Sequence, residues 1–196
     1  MIADMTRRID IPRGSPGTAA TIAWMAKLAL EGAHDPDLAY LARRQASNLR
    51  GHDHAAEAER MLQWVKRDVR YTWDPRGLEW VQTPRMTMFS FGTGDCDDQA
   101  ALLASLWLSL GLPARFITYA ADPRRPADWS HVAAQVELGH ERWLTGDATQ
   151  AESYLGWDPP PSRVWSTRTW PIDGEASPTR YEMEAVLKYS RGKTRS

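Results

Sequence analysis

Cys96 is the only cysteine in 196 residues, set in Gly94-Asp95-Cys96-Asp97-Asp98-Gln99-Ala100 ahead of an apolar run of Leu102, Leu103, Leu106, Trp107 and Leu110. His131 heads an alternating segment downstream, and Asp147 follows sixteen positions later, just after Trp143-Leu144-Thr145-Gly146. A thiol, an imidazole and a carboxylate are the minimum set for a nucleophile, its base and the group that orients the base. The thiol attacks as thiolate, and with an ordinary pKa of about 8.5 little of it is ionised near neutrality. A helix start supplies free N–H groups and a positive dipole end, and an imidazole can take the proton. Asp95, Asp97 and Asp98 work the other way, because negative charge disfavours a thiolate. They suit a helix N-terminus, with Asp95 as its cap, and their side chains are expected to turn away from the sulfur. Taken one at a time, these residues would read as a small hydrophobe, a strand-end histidine and a turn former. Their order and their places on the elements argue for chemistry.

Those elements can be read from pattern. Arg13-Gly14-Ser15-Pro16 opens a helix that runs to about Glu31, and Asp35-Pro36 opens a second that stops near Gly51. Asp53 caps a third, with Leu62, Val65 and Val69 along one side. Residues 77–94 read as a loop. The helix from Asp95 or Cys96 to Leu110 is apolar over most of its circumference and should be buried at the centre. Strands are expected at Ala114–Tyr119, His131–Leu138 and Glu141–Thr145, the last two joined by a turn at Gly139-His140. That turn would bring Asp147 back toward His131. Beyond Asp147 the chain is rich in Pro and Trp, with a short helix expected at 180–189 and a disordered basic end at 190–196. The class is α+β, divided into a helical extension (1–58), a core (59–150) and a C-terminal segment (151–196).

The charge balance is 24 basic against 25 acidic residues, so no global field favours nucleic acid or an anionic membrane. The basic pairs Arg43-Arg44 and Arg124-Arg125 are brief and read as a solvated helix face and a loop. One cysteine rules out an intrachain disulfide and fits a reducing compartment. With no apolar stretch of spanning length and no secretory signal, a cytoplasmic protein is expected, or a virion-associated one if it comes from a phage. Asp95, Asp97 and Asp98 lack the alternating ligands of a calcium loop, so neither metal nor cofactor is expected. The ten tryptophans are scattered and serve mostly as core and loop braces.

The Cys96 segment resembles the nucleophile signature of the transglutaminase-like superfamily, a Gly-x-Cys-x-Asp-x-Ala motif leading into an apolar helix. Gly111-Leu112-Pro113-Ala114-Arg115 matches the continuation of that signature, and His131 and Trp143…Asp147 match its later positions. The likeness covers roughly residues 60–150. It departs at Ala133, where the family commonly has an aromatic, and at Ala148, where Pro is usual. Gln82-Thr83-Pro84 upstream is similar to a subgroup common among bacterial and phage-associated proteins.

The resemblance implies a papain-like core and a cysteine protease, amidase or transglutaminase-like acyltransferase. In that reading Cys96 is nucleophile, His131 base and acid, and Asp147 orienter. Hydrolysis of a peptide or carboxamide through a thioester ranks above cross-linking, which needs an amine site. The backbone N–H of Cys96 is the first oxyanion donor, and Gln82 and Trp80 are the candidates for the second. Two segments are suited to cover the thiol, Thr83–Thr93 and Ala121–Ser130, and Trp129 in the second is expected to border the substrate channel. The other reading is a non-catalytic structural or assembly protein that keeps the fold, such as a component of a phage particle. Its partner contacts would run through the N-terminal helices or the C-terminal segment.

Overall fold

The computed structural model describes residues 15–74 and 80–172, in which four α-helices and a four-stranded antiparallel sheet form the framework. The helix expected at 180–189, the basic end and the lead-in through residue 14 lie outside the described residues.

Helices α1 (Ser15–Ala33), α2 (Pro36–Ala46) and α3 (His54–Asp68) follow the expected order. Asp35 caps α2 by accepting the N–H groups of Asp37 and Leu38, and Asp53 caps α3 through Ala56 N–H. Each helix buries positions at helical spacing: Ile22, Met25, Ala26 and Ala29; Leu38 and Ala42; Ala58, Met61, Leu62 and Val65. α2 stops at Ala46, short of the expected Gly51, because the chain tightens into a turn in which Ser47 and Leu49 N–H bond Arg44 and Ala46 carbonyls.

Helix α4 (Cys96–Ser109) is the centre of the molecule, buried at every position from Asp98 to Trp107. α1 packs along one side of it and the sheet along another. The indole N–H of Trp107 donates to the Ala58 carbonyl at 3.0 Å, tying α4 to α3. A fully buried side chain of this size contributes about 2–3 kcal/mol through area removed from water.

The sheet runs β5-β4-β3-β6, with β3 at Ala114–Ala120, β4 at His131–Glu137, β5 at Trp143–Gly146 and β6 at Ser166–Pro171. Alternation sends Ala114, Phe116, Val132, Ala134 and Val136 into the core with α4. Tyr119, Ile117 and Ala133 form a small cluster on the opposite face. Gly146 lies over α4, where an added Cβ would meet the Trp107 ring at 2.7 Å, so β5 can approach the helix only with glycine there.

Two parts of the architecture differ from the pattern reading. Residues 77–94 were expected as a loop, but β1 (Arg70–Tyr71) pairs in parallel with β2 (Thr93–Gly94), and a π-helix spans Met86–Phe91. The π-helix closes on Gly92, whose φ is +61°. Strand β6 was not expected at all. It is a six-residue edge strand ending in Pro171, a position where a proline costs no ladder hydrogen bond, and most of it is exposed. The stretch between β5 and β6 is held at several points. Lys66 donates to the Ala151 and Ser153 carbonyls, Leu155 N–H to Glu59 at 2.7 Å, and Gly156 N–H to the Thr145 carbonyl at 2.7 Å.

Candidate functional site

Cys96 opens α4 as its first residue, half-buried, behind the Asp95 cap. Asp95 accepts the N–H groups of Asp97 and Asp98, while the Asp98 carboxylate accepts Asp95 N–H, a reciprocal capping box. The backbone N–H of Val132, second residue of β4, is directed at the sulfur, so the thiol lies against the first peptide of that strand. The sulfur also donates to Asp97 Oδ1 at 3.6 Å. The expectation that all three carboxylates turn away from the thiol is therefore corrected for Asp97, whose carboxylate folds back onto its neighbour.

Burial, then the charges of Asp97 and Asp95, push the Cys96 pKa well up, and the Val132 N–H only partly opposes them. The resting group is a thiol. Removing one of those charges while keeping the shape should ease ionisation. Asp97→Asn is expected to raise the rate of Cys96 alkylation by iodoacetamide at neutral pH by about three- to tenfold. An unchanged or lower rate would show that Asp97 does not govern the thiol.

His131 and Asp147 are brought together by strand pairing. Thr145 stands opposite Gln135 in the β4–β5 ladder, so the same register carried two residues on sets Asp147 level with Ala133 and makes His131 its diagonal neighbour on that face. The result is a 2.7 Å contact between His131 Nε2 and Asp147 Oδ2. The His131 side chain is 24% exposed and that of Asp147 only 4%. Burial would raise the Asp147 pKa, but the bond to His131, the imidazole's charge and two bonds from Thr149 outweigh it and hold the carboxyl below its usual range. Thr149 donates its N–H at 3.0 Å and its hydroxyl at 2.7 Å to Oδ1, so the two carboxylate oxygens have separate partners.

The two side-chain candidates for oxyanion stabilisation have different surroundings. Gln82 gives its amide hydrogens to Asp98 Oδ2 at 2.7 Å and the Thr93 carbonyl at 3.3 Å, and its backbone N–H to Asp98 Oδ1 at 2.7 Å. It is thus engaged as a brace between the segment before the π-helix and the start of α4. Trp80 is half-buried, gives its backbone N–H to Asp74 and packs edge-on to Phe91. Trp129 is half-buried in a segment that is otherwise mostly exposed, 121–130. The other expected cover is the π-helical segment, which buries Thr87 and exposes Phe89 and Phe91.

Pattern alone missed three residues near the site. Tyr71 pairs with Gly94 across β1–β2, and its phenol pKa is raised by burial and by Cys96, Asp95, Asp97 and Asp147, which places it in the field of both ends of the site. Tyr119 stands directly opposite His131 in the ladder, and Asp158 meets the Tyr119 hydroxyl. Only Tyr119 carried a signal, since the strand pairing fixes its neighbour. Among the described residues one group could hold a metal: the ligand atoms of Asp95, Cys96 and Asp97 lie within 4.8 Å of one another. The Asp95 carboxylate there already serves as the helix cap. Among the described residues no helix is long and apolar enough to cross a membrane.

The chain belongs to the transglutaminase-like superfamily, whose core matches residues 41–148, just over half its length. Among solved structures it is similar to a candidate cysteine protease from Cytophaga hutchinsonii, at 25% identity and a TM-score of 0.45 over 58% of this chain. A candidate protease from Parabacteroides distasonis aligns over 76% of the chain at 10% identity and a TM-score of 0.53. This chain spans 37% and 31% of those two proteins' lengths. Legionella pneumophila LapG aligns over 86% of this chain and 96% of its own, at 18% identity and a TM-score of 0.51. The latter two likenesses are of fold. A comparison with curated proteins finds no match.

Proposed function

We propose that the protein is a cysteine-dependent acyl-transfer enzyme that hydrolyses a peptide or carboxamide bond. Cys96 is its nucleophile, His131 its base and acid, and Asp147 the orienter of the base. The observation that carries this is the 2.7 Å bond between His131 Nε2 and Asp147 at the head of the strand whose next N–H is directed at the Cys96 sulfur. With Nε2 engaged, Nδ1 is the nitrogen left for the thiol. Because the resting group is a thiol, deprotonation accompanies attack. Sulfur bonds to the carbonyl carbon as its proton passes to Nδ1. The C–N bond then breaks as the imidazolium returns that proton to the leaving amine. Water, activated by the same imidazole, releases the acid from the thioester. The backbone N–H of Cys96 at the helix start suits the developing oxyanion.

Membership of the superfamily agrees with this reading. An activated aryl ester with intact-mass readout tests it on the full chain. One acyl group is expected on Cys96, removable by hydroxylamine, with the acylation rate falling roughly a hundredfold or more in His131→Ala. No Cys96 adduct, or a rate indifferent to His131, would end the proposal and favour a structural role for the fold.

A further inference from the structure

On the face of the sheet away from α4, a chain of polar contacts starts behind His131. Tyr119 and His131 are cross-strand partners, and their rings lie 6.0 Å apart between centroids at an interplanar angle of 27°. This arrangement stacks the phenol ring on one face of the imidazole. Tyr119 is 5% exposed, so its hydroxyl needs an internal partner. It donates to Asp158 Oδ1 at 3.2 Å. The same oxygen accepts the Thr145 hydroxyl at 2.8 Å, and Thr145 in turn accepts from Gln135 Nε2 at 3.0 Å. Arg115 closes the chain through Gln135 Oε1 at 2.7 Å and stacks on Trp143 at 4.1 Å.

Asp158 lies beyond residue 148, where the match to the superfamily core ends. Its segment is nevertheless fixed: Leu155 and Gly156 are bonded to α3 and β5, and Trp157 N–H bonds the Tyr154 carbonyl. The post-β5 segment therefore delivers a carboxylate to the back of the residue that covers the imidazole.

The geometry points to Tyr119 as a positioning residue for His131, anchored in turn by Asp158. The inference rests on the acyl-transfer reading above. The bond to Asp147 holds one edge of the imidazole, but a single hydrogen bond leaves the ring free to rock about it. A flat aromatic surface on one face removes that freedom and keeps Nδ1 directed along one line. Burial and the Asp158 charge hold the phenol un-ionised, so it remains a donor across the working pH range. Asp158 is itself exposed, so its replacement opens no cavity in the core.

The test measures the acylation rate of Cys96 by an aryl ester against pH, with melting temperature recorded in parallel. The full chain is compared with Tyr119→Leu, Tyr119→Phe, Asp158→Ala, Asp158→Asn and His131→Ala. Tyr119→Leu is expected to lose roughly tenfold or more of the His131-dependent rate, as misplacement of a base does. Tyr119→Phe and Asp158→Ala keep the ring but free it, and should each lose about three- to fivefold with a shifted limb for the imidazole in the pH profile. Asp158→Asn, still an acceptor, should restore most of the rate. Folded Tyr119→Phe and Asp158→Ala proteins with the wild-type profile would overturn the inference, whatever their melting temperatures. If His131→Ala also leaves the rate unchanged, the acyl-transfer reading falls with it; if His131→Ala alone is slow, only the role of Tyr119 falls. Should Tyr119→Leu not fold, the two surface replacements of Asp158 decide.

Discussion

Asp147→Asn should cut the Cys96 acylation rate by roughly a hundredfold to ten-thousandfold while leaving the protein folded. The reason lies in the partners of each oxygen. Thr149 presents two donors to Oδ1, so the asparagine carbonyl will occupy that place and its NH2 group the place of Oδ2. That turns a donor toward His131 Nε2, where an acceptor now sits at 2.7 Å. Nε2 must then accept, the ring proton moves to Nδ1, and the nitrogen that the proposed mechanism uses as base can no longer take the proton of the thiol. Asp147→Ala, which leaves the imidazole free to choose its tautomer, should lose less than Asp147→Asn. A rate within about twofold of wild type for Asp147→Asn would sink this account of the carboxylate. The same residue carries a pH signature. Its folded pKa is depressed, so its contribution to stability is present above the unfolded carboxyl value of about 3.9 and fades as pH falls through the lower folded value.

Asp98→Ala is the second large effect, and its readout is stability. Three N–H groups converge on this buried carboxylate: Gln82 N and Nε2, both at 2.7 Å, and Asp95 N at 3.3 Å. Alanine strands all three, and stranded buried donors of this kind cost about 3 kcal/mol together. The pH dependence runs opposite to that of Asp147. Burial, only partly opposed by the Gln82 N–H, pushes the Asp98 pKa up to about 7. A carboxyl raised in the folded state stabilises fully below its unfolded value of about 3.9, and that contribution is lost as pH rises through about 7. The gap in unfolding free energy between wild type and Asp98→Ala should therefore be wider at pH 5 than at pH 8. A gap that widens with pH instead would mean that Asp98 is held ionised by its donors. Asp98 is also the backing of the Gln82 brace, so Asp98→Ala should loosen the segment leading to the π-helix and expose it to proteolysis.

The elements legible in the sequence are the ones that short-range interactions fix. Caps and amphipathic faces are local. Asp35, Asp53 and Asp95 each cap the helix expected of them, and the apolar run after Cys96 gave the buried central helix. Strands β3, β4 and β5 followed from alternation and the Gly139-His140 turn, which the structure keeps with both residues at positive φ. The two-residue strands β1 and β2 are too short to leave a period, and the π-helix between them answers to packing against α4. β6 was hidden for a related reason: an exposed edge strand carries little hydrophobic alternation.

The sequence by itself determined the helix start that presents Cys96, the strand that begins at His131 and the turn that returns the chain to Asp147. All three depend on nearest-neighbour signals: a capping aspartate, a period of two, and a glycine turn. Only the tertiary structure decided what each group touches. It set Asp97 against the thiol, spent Gln82 on Asp98, and placed Tyr119 and Asp158 behind the imidazole. Those contacts join residues up to 39 positions apart, from Tyr119 to Asp158, and they exist because the register of one sheet and the burial of one helix fix distant side chains in space.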